Sequence, residues 1–360
     1  MQHSRTKLPE RNLDYLRAFA VVLVFSTHFT DSVGFTSPFI RWIGQAGVLA
    51  FFVHTSLVLM SSLERDGAPN QPRWISRFYI RRAFRIYPLA WVMIAMTIAL
   101  EVPTGSVSSH YEPMTFRRVI ANVALAQNLV GERPILGTMW TLPLELQMYV
   151  LLPLCYLVAR SDSLVRMTVL LAVAVAGAWF FSQGIRDPTF MPGLWRLSVL
   201  EYIPCFLMGV LAFWALRRAR DRRRLLASWS WLFIIVADIV LLSFSETRDN
   251  WLARIVFCAV LGAAITLLRE APDSRLSRLS HVIATYSYGI YLIHMIALWV
   301  GFRVLAGSPI LVQIATVFAV LYVSCIAAYH LIERPGILLG QRLLGERGQP
   351  LPLEATVPAP

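Results

Sequence analysis

A single lysine, Lys7, occurs in 360 residues, and charged side chains make up only 15% of the chain against 57% hydrophobic. A soluble globular domain carries about 25% charged residues, so this composition excludes that class. Four cysteines, Cys155, Cys205, Cys258 and Cys325, stand apart without a CxxC pair or a metal spacing. They indicate no disulfide framework or thiol chemistry, and each reads as a packing residue in an apolar run. There is no Walker loop, no GxGxxG and no His/Asp set spaced for a metal, so no phosphate loop, dinucleotide site or metal centre is expected. A basic stretch precedes the first apolar run, but no small-residue cleavage site follows it, so the segment is expected to be a retained anchor.

What is present is hydrophobic length. The mean hydropathy is +0.58, and ten segments are apolar enough to be read as crossings of a hydrocarbon layer about 30 Å thick. They lie at 13–33, 44–63, 86–102, 138–159, 164–183, 197–215, 230–244, 251–268, 282–305 and 310–332. The fold expected is all-α, a polytopic membrane bundle of about ten transmembrane helices in one domain, 1–344, followed by a Pro-rich disordered tail, 345–360. Most of the 33 Lys and Arg residues fall in loops on the side of the N-terminus, among them Arg65 to Arg85 and the run from Arg217 to Arg224. The positive-inside rule then puts both termini in the cytoplasm. It also accounts for the net charge of +12 without a nucleic-acid partner. The longest connection, 103–137, includes a stretch at 116–129 that suits an interfacial helix.

The first segment carries ionisable residues where hydrocarbon makes them costly. Arg17 and His28 are eleven positions apart, which on an α-helix returns to within about 20° of the same azimuth about 16.5 Å further along. Asp14 and Asp31 flank that stripe. Such a polar line suggests a reaction or transport path.

Arg17 and His28 with ten residues between them, the run from Gly47 to Val53, and Arg81-Arg82-Ala83-Phe84-Arg85-Ile86-Tyr87-Pro88 resemble the opening signatures of the acyltransferase type 3 family. So do Trp140 to Tyr149, Ser287 to His294 and Ile332-Glu333-Arg334-Pro335, in the same order along nearly the whole chain. The resemblance implies a bacterial inner-membrane enzyme that moves an acyl group, commonly acetyl, from a cytoplasmic thioester such as acyl-CoA to a hydroxyl of a glycan or lipid-linked sugar. It also implies ten helices with both ends inside. Some relatives carry an esterase-like domain, but no GxSxG element follows the last span here, so transfer is expected to finish in the membrane domain or with a separate partner.

Within that frame each residue type has a role and an alternative. A sugar hydroxyl needs a base, and His28 is the side chain best suited, unless it is a neutral histidine bonded to a neighbouring helix. Arg17 suits a donor phosphate or carbonyl, or else snorkels to the headgroups while paired with Asp14. Arg82 and Arg85, about one turn apart, offer two guanidiniums for the phosphates of coenzyme A. Glu145 enters from the opposite side to a depth similar to that of His28, where it would orient the histidine or the acceptor, or act as an interface carboxylate. Tyr288, Tyr291 and His294 fit either a substrate tunnel or an interhelical hydrogen-bond network. His54 stands where the family more often has a small or aliphatic residue. A transporter or flippase for a glycan, lipid or organic acid would also need polar residues in midmembrane and a basic inner mouth, and is the alternative to an acyltransferase.

Overall fold

The computed structural model describes residue 8 and residues 10–104, 112–186, 193–218, 226–243 and 251–346. Among these the chain is helical, apart from one bridge that pairs Leu226 with Leu268. The α-helices are α1 (Glu10–Ser32), α2 (Pro38–Arg65), α3 (Trp74–Ala99), α4 (Phe116–Val123), α5 (Gln127–Val130), α6 (Leu142–Arg160), α7 (Leu164–Arg186), α8 (Val199–Arg218), α9 (Ser230–Ser243), α10 (Trp251–Leu267), α11 (Arg275–Trp299), α12 (Ile310–Ala328) and α13 (Arg334–Leu343).

Among the described residues, seven helical stretches are long and apolar enough to cross a membrane, where the sequence led us to expect about ten. The other three expected segments are helical as well. Helix α1 has 23 residues but carries Glu10, Asp14, Arg17 and Asp31. Helices α9 and α10 have 14 and 17 residues, short of the roughly 20 that a perpendicular crossing takes. The protein is thus a multi-pass membrane bundle, with α2 at its centre, packed against α1, α6, α8, α9 and α10.

Local sequence explains these elements. Helix α2 opens with Ser37, whose hydroxyl accepts from the Ile40 amide, followed by Pro38 at a position whose missing N–H costs nothing. Helix α11 opens with a reciprocal cap between Ser274 and Ser277. Without a hydrophobic drive between helices in lipid, small residues let backbones close in. A Cβ at Gly47 would lie 2.6 Å from the Ala20 carbonyl of α1, and one at Gly209 would overlap Ser56 Oγ and the Val53 carbonyl of α2. The four cysteines are reduced and buried, as packing residues would be.

Two stretches differ from the sequence reading. The interfacial segment is split in two, because Leu125 takes a left-handed φ of 51° between α4 and α5. The last apolar helix does not stop at 332. It continues from α12 through a π turn, Tyr329–Glu333, into α13, since Pro335 falls at the start of α13 where proline is accommodated. Most of the basic run at 217–224 and of the expected tail lies outside the described residues. Of the tail, Glu346 is described: its carboxylate accepts from Arg77 at 2.7 Å and Arg81 at 2.6 Å.

Candidate functional site

The polar stripe of α1 is answered residue by residue on α11. Asp14 meets His281 Nδ1 at 2.8 Å, Arg17 Nε donates to Ser287 Oγ at 2.6 Å, and the ring of His28 lies 5.2 Å from that of His294. The side chain of Asn12 fixes the end of this interface by bonding both the Arg269 carbonyl and the Ala271 amide. Arg17 is therefore held by a serine and not by Asp14, and it faces the interior of the bundle.

A cavity of about 100 Å³ opens between α1, α2, α3, α6 and α11. Six of the eight residues singled out from sequence line it: Arg17, Arg82, Arg85, Glu145, Tyr288 and Tyr291. Arg85 ion-pairs with the buried carboxylate of Glu333 and lies 5.3 Å above the ring of Tyr288, while its Nη2 has no hydrogen-bond partner. Arg82 Nε is likewise buried without one. Glu145 accepts from Tyr149 Oη at 3.1 Å. The aromatic walls are fixed by their hydroxyls. Tyr288 donates to the Ile86 carbonyl at 2.8 Å, and Tyr291 to that of Thr138 at 2.9 Å, with Thr141 Oγ1 also 2.9 Å away.

A second cavity, of about 210 Å³, adjoins the first on the side of the N-terminus. The two share Arg17, His54, Val58, Arg82 and Arg85. Asp14, Arg65, Arg81 and His281 also face the second. Three guanidiniums thus stand at the junction of a vestibule and an inner chamber, and among the described residues Arg85 alone of the three forms an ion pair. Buried donors without partners are uncommon in native proteins and mark where a ligand or water belongs. An anion with several oxygens, such as a phosphate, matches this donor set.

His28 and His294 are not among the residues lining either cavity. His294 is fully buried, and its ring lies 6.3 Å from that of Tyr291, so Tyr291 and His294 stand between the chamber and His28. The expected meeting of Glu145 with His28 does not occur. Equal depth in a bilayer says nothing about azimuth, and Glu145, in the first turn of α6, turns toward the arginines. Three further residues of the site had weaker signals in the sequence. Glu333 sits in the Ile332 to Pro335 motif but has no helical neighbour that reveals Arg85 as its partner. His54 faces both cavities from α2. His281 lies seven residues before Tyr288, two turns along the same face of α11, and that spacing was available to be read.

Comparison with known proteins identifies the family. A family model described as an acyltransferase domain matches residues 10–329. The chain is 26% identical over 322 residues to a peptidoglycan O-acetyltransferase of Listeria monocytogenes, covering 81% of this chain and 50% of that protein. It is 26% identical over 342 residues to nodulation protein 10 of Rhizobium leguminosarum, covering 81% and 85%. A putative peptidoglycan O-acetyltransferase of Bacillus subtilis is 25% identical over 370 residues, covering 93% and 56%. The chain therefore spans about half the length of the two peptidoglycan O-acetyltransferases. No solved structure matches it. With the family model spanning α1 to the start of the π turn, the chain belongs to the acyltransferase domain family.

Proposed function

We propose that the protein is an integral-membrane O-acyltransferase that takes an acyl group, most simply acetyl, from acyl-CoA and gives it to a hydroxyl of a carbohydrate or glycolipid. The observation that carries this reading is the trio of guanidiniums, Arg17, Arg82 and Arg85, at the junction of two cavities, with Arg82 Nε and Arg85 Nη2 unpartnered. Phosphates of the donor bind at Arg82 and Arg85, and the acyl-bearing arm extends along Tyr288 and Tyr291. Arg17, at the same junction, holds those phosphates with Arg82 and Arg85. His28 lies beyond Tyr291 and His294, so the arm must pass these side chains to reach it; there the acceptor oxygen attacks the thioester carbonyl carbon, His28 takes the hydroxyl proton, the new C–O bond forms, and the C–S bond breaks. The thiolate leaves with the electron pair of that bond and recovers the proton from His28. Glu145 offers an acceptor oxygen for a second hydroxyl of the sugar.

On this reading about ten helices cross the bacterial inner membrane, with α1, α9 and α10 joining the seven that meet the length and hydropathy expected of a span. The side bearing the N-terminus is the cytoplasmic one, in keeping with the arginines of its loops, so the vestibule faces the pool of acyl-CoA. A glycan acceptor is in keeping with the names of the Listeria and Bacillus relatives.

The test is transfer from isotopically labelled acetyl-CoA to peptidoglycan and polysaccharide fragments by the purified protein, read by mass spectrometry. Labelled ester on the acceptor that disappears in His28→Ala supports the proposal. Movement of a solute into vesicles without any thioester, and no labelled ester, would replace it with the transporter reading.

A further inference from the structure

His294 has one ring nitrogen that the fold leaves unused. Its Nδ1 lies 3.0 Å from the Ile290 carbonyl, one turn back on α11. A carbonyl only accepts, so Nδ1 carries the hydrogen and Nε2 presents a lone pair. That Nε2 is buried and has no hydrogen-bond partner. Its surroundings offer few donors. Phe25 stands edge-on at 6.2 Å between ring centroids, and the neighbouring Tyr291 uses its hydroxyl on Thr138 and Thr141. The polar ring beside it is His28, 5.2 Å away and tilted by 37°.

We propose that His294 is a positioning residue for His28: the two rings are neighbours without a hydrogen bond in the unliganded protein, and when substrate is bound Nε2 accepts an N–H from the His28 ring, which fixes the tautomer that leaves the other His28 nitrogen free to take a proton. The inference rests on the reading of His28 as the base. A histidine that must act as a base in one direction commonly has its other nitrogen held by a hydrogen bond. Carboxylates usually fill that role. Here a neutral imidazole does so without adding a buried charge beside an apolar wall of Phe25, Phe29 and Phe318. The proton balance is unchanged by His294. Its Nδ1–H stays on the Ile290 carbonyl, and the proton of the acceptor hydroxyl resides on His28 until it passes to the departing thiolate.

The experiment compares His294→Phe, which keeps the ring and loses the acceptor, with His294→Gln, whose amide oxygen can take the place of Nε2. Both are assayed for acetyl transfer beside His28→Ala, and thermal unfolding is followed for each. The expected result is a fall in kcat of about 10- to 100-fold for His294→Phe, a size usual for residues that orient a functional histidine. The KM for acetyl-CoA and the melting temperature should be unchanged, and His294→Gln should regain most of the rate. Wild-type kcat in His294→Phe overturns the inference. Equal losses in the Phe and Gln variants, or a change confined to KM, show a packing role and overturn it too. Full activity in His28→Ala would remove the base itself, a failure distinct from an inactive His28→Ala beside an unaffected His294→Phe.

Discussion

Arg82 and Arg85 lie three residues apart on one face of α3, yet replacing them should move stability in opposite directions. Arg82 Nε is buried without a partner and the side chain has no ion pair among the described residues, whereas Arg85 neutralises Glu333, whose side chain has no exposure at all. A buried donor left unmade costs about 1–3 kcal/mol, so Arg82→Met should return part of that and raise the melting temperature of the unliganded protein. Arg85→Met strands the Glu333 carboxylate, and breaking a buried pair from one side costs about 3–5 kcal/mol. If the proposed donor site is right, both lose a hydrogen bond to a phosphate, worth about 1.5–3 kcal/mol when the partners are charged, so each should weaken coenzyme A binding roughly 10- to 150-fold. Intrinsic tryptophan fluorescence on heating gives the first quantity, and titration with coenzyme A in detergent gives the second. Equal destabilisation by the two substitutions, or unaltered binding in Arg82→Met, would refute this division of roles.

Other expectations follow from single contacts. Gly209→Ala should prevent α8 from closing on α2, because the added methyl would collide with Ser56 Oγ and the Val53 carbonyl. Loss of the monodisperse peak in size-exclusion chromatography would register that, and a normally behaved variant would show the approach to be looser than described. Removing the imidazole in His54→Ala should widen the junction of the two cavities, so the rate with butyryl-CoA relative to acetyl-CoA should rise; an unchanged ratio argues against His54 as a limit on acyl length. Burial favours the neutral form of Glu346, but hydrogen bonds from Arg81 and Arg77 outweigh it and hold its carboxyl below the ordinary value of 4.5. With the folded value depressed, its stabilisation is complete above that ordinary value and is lost as the pH falls through the lower one. Glu346→Gln should therefore flatten the acid side of the stability profile, and an unchanged profile would exclude the contribution.

The residue types of this site were legible in the sequence, but their grouping was not. Arg82 and Arg85 were read as a pair at the inner mouth, Glu145 with His28, and Tyr288 and Tyr291 with His294, whereas one chamber gathers Arg82, Arg85, Glu145, Tyr288 and Tyr291. The stripe on α1 was readable because 3.6 residues per turn fixes which residues share a face. What periodicity could not supply was the partner across the interface. Nothing in the run from Asp14 to His28 names His281, Ser287 or His294 as its counterparts on α11. Depth counted along separate helices likewise made Glu145 and His28 look like neighbours, although rotation of α6 and α1 about their axes turns them to different compartments. The break at Leu125 was invisible for another reason: no glycine or proline marks a left-handed turn there, and tertiary packing imposes it.

In the proposed reaction, donor phosphates enter the basic junction from the vestibule. The direct measurement is equilibrium binding of coenzyme A to the purified protein, wild type beside Arg82→Met and Arg85→Met. Saturable binding, weakened at least 10-fold in both variants, is the result predicted. Acetylation of a glycan by protein that shows no coenzyme A binding, or binding indifferent to both arginines, would contradict the claim.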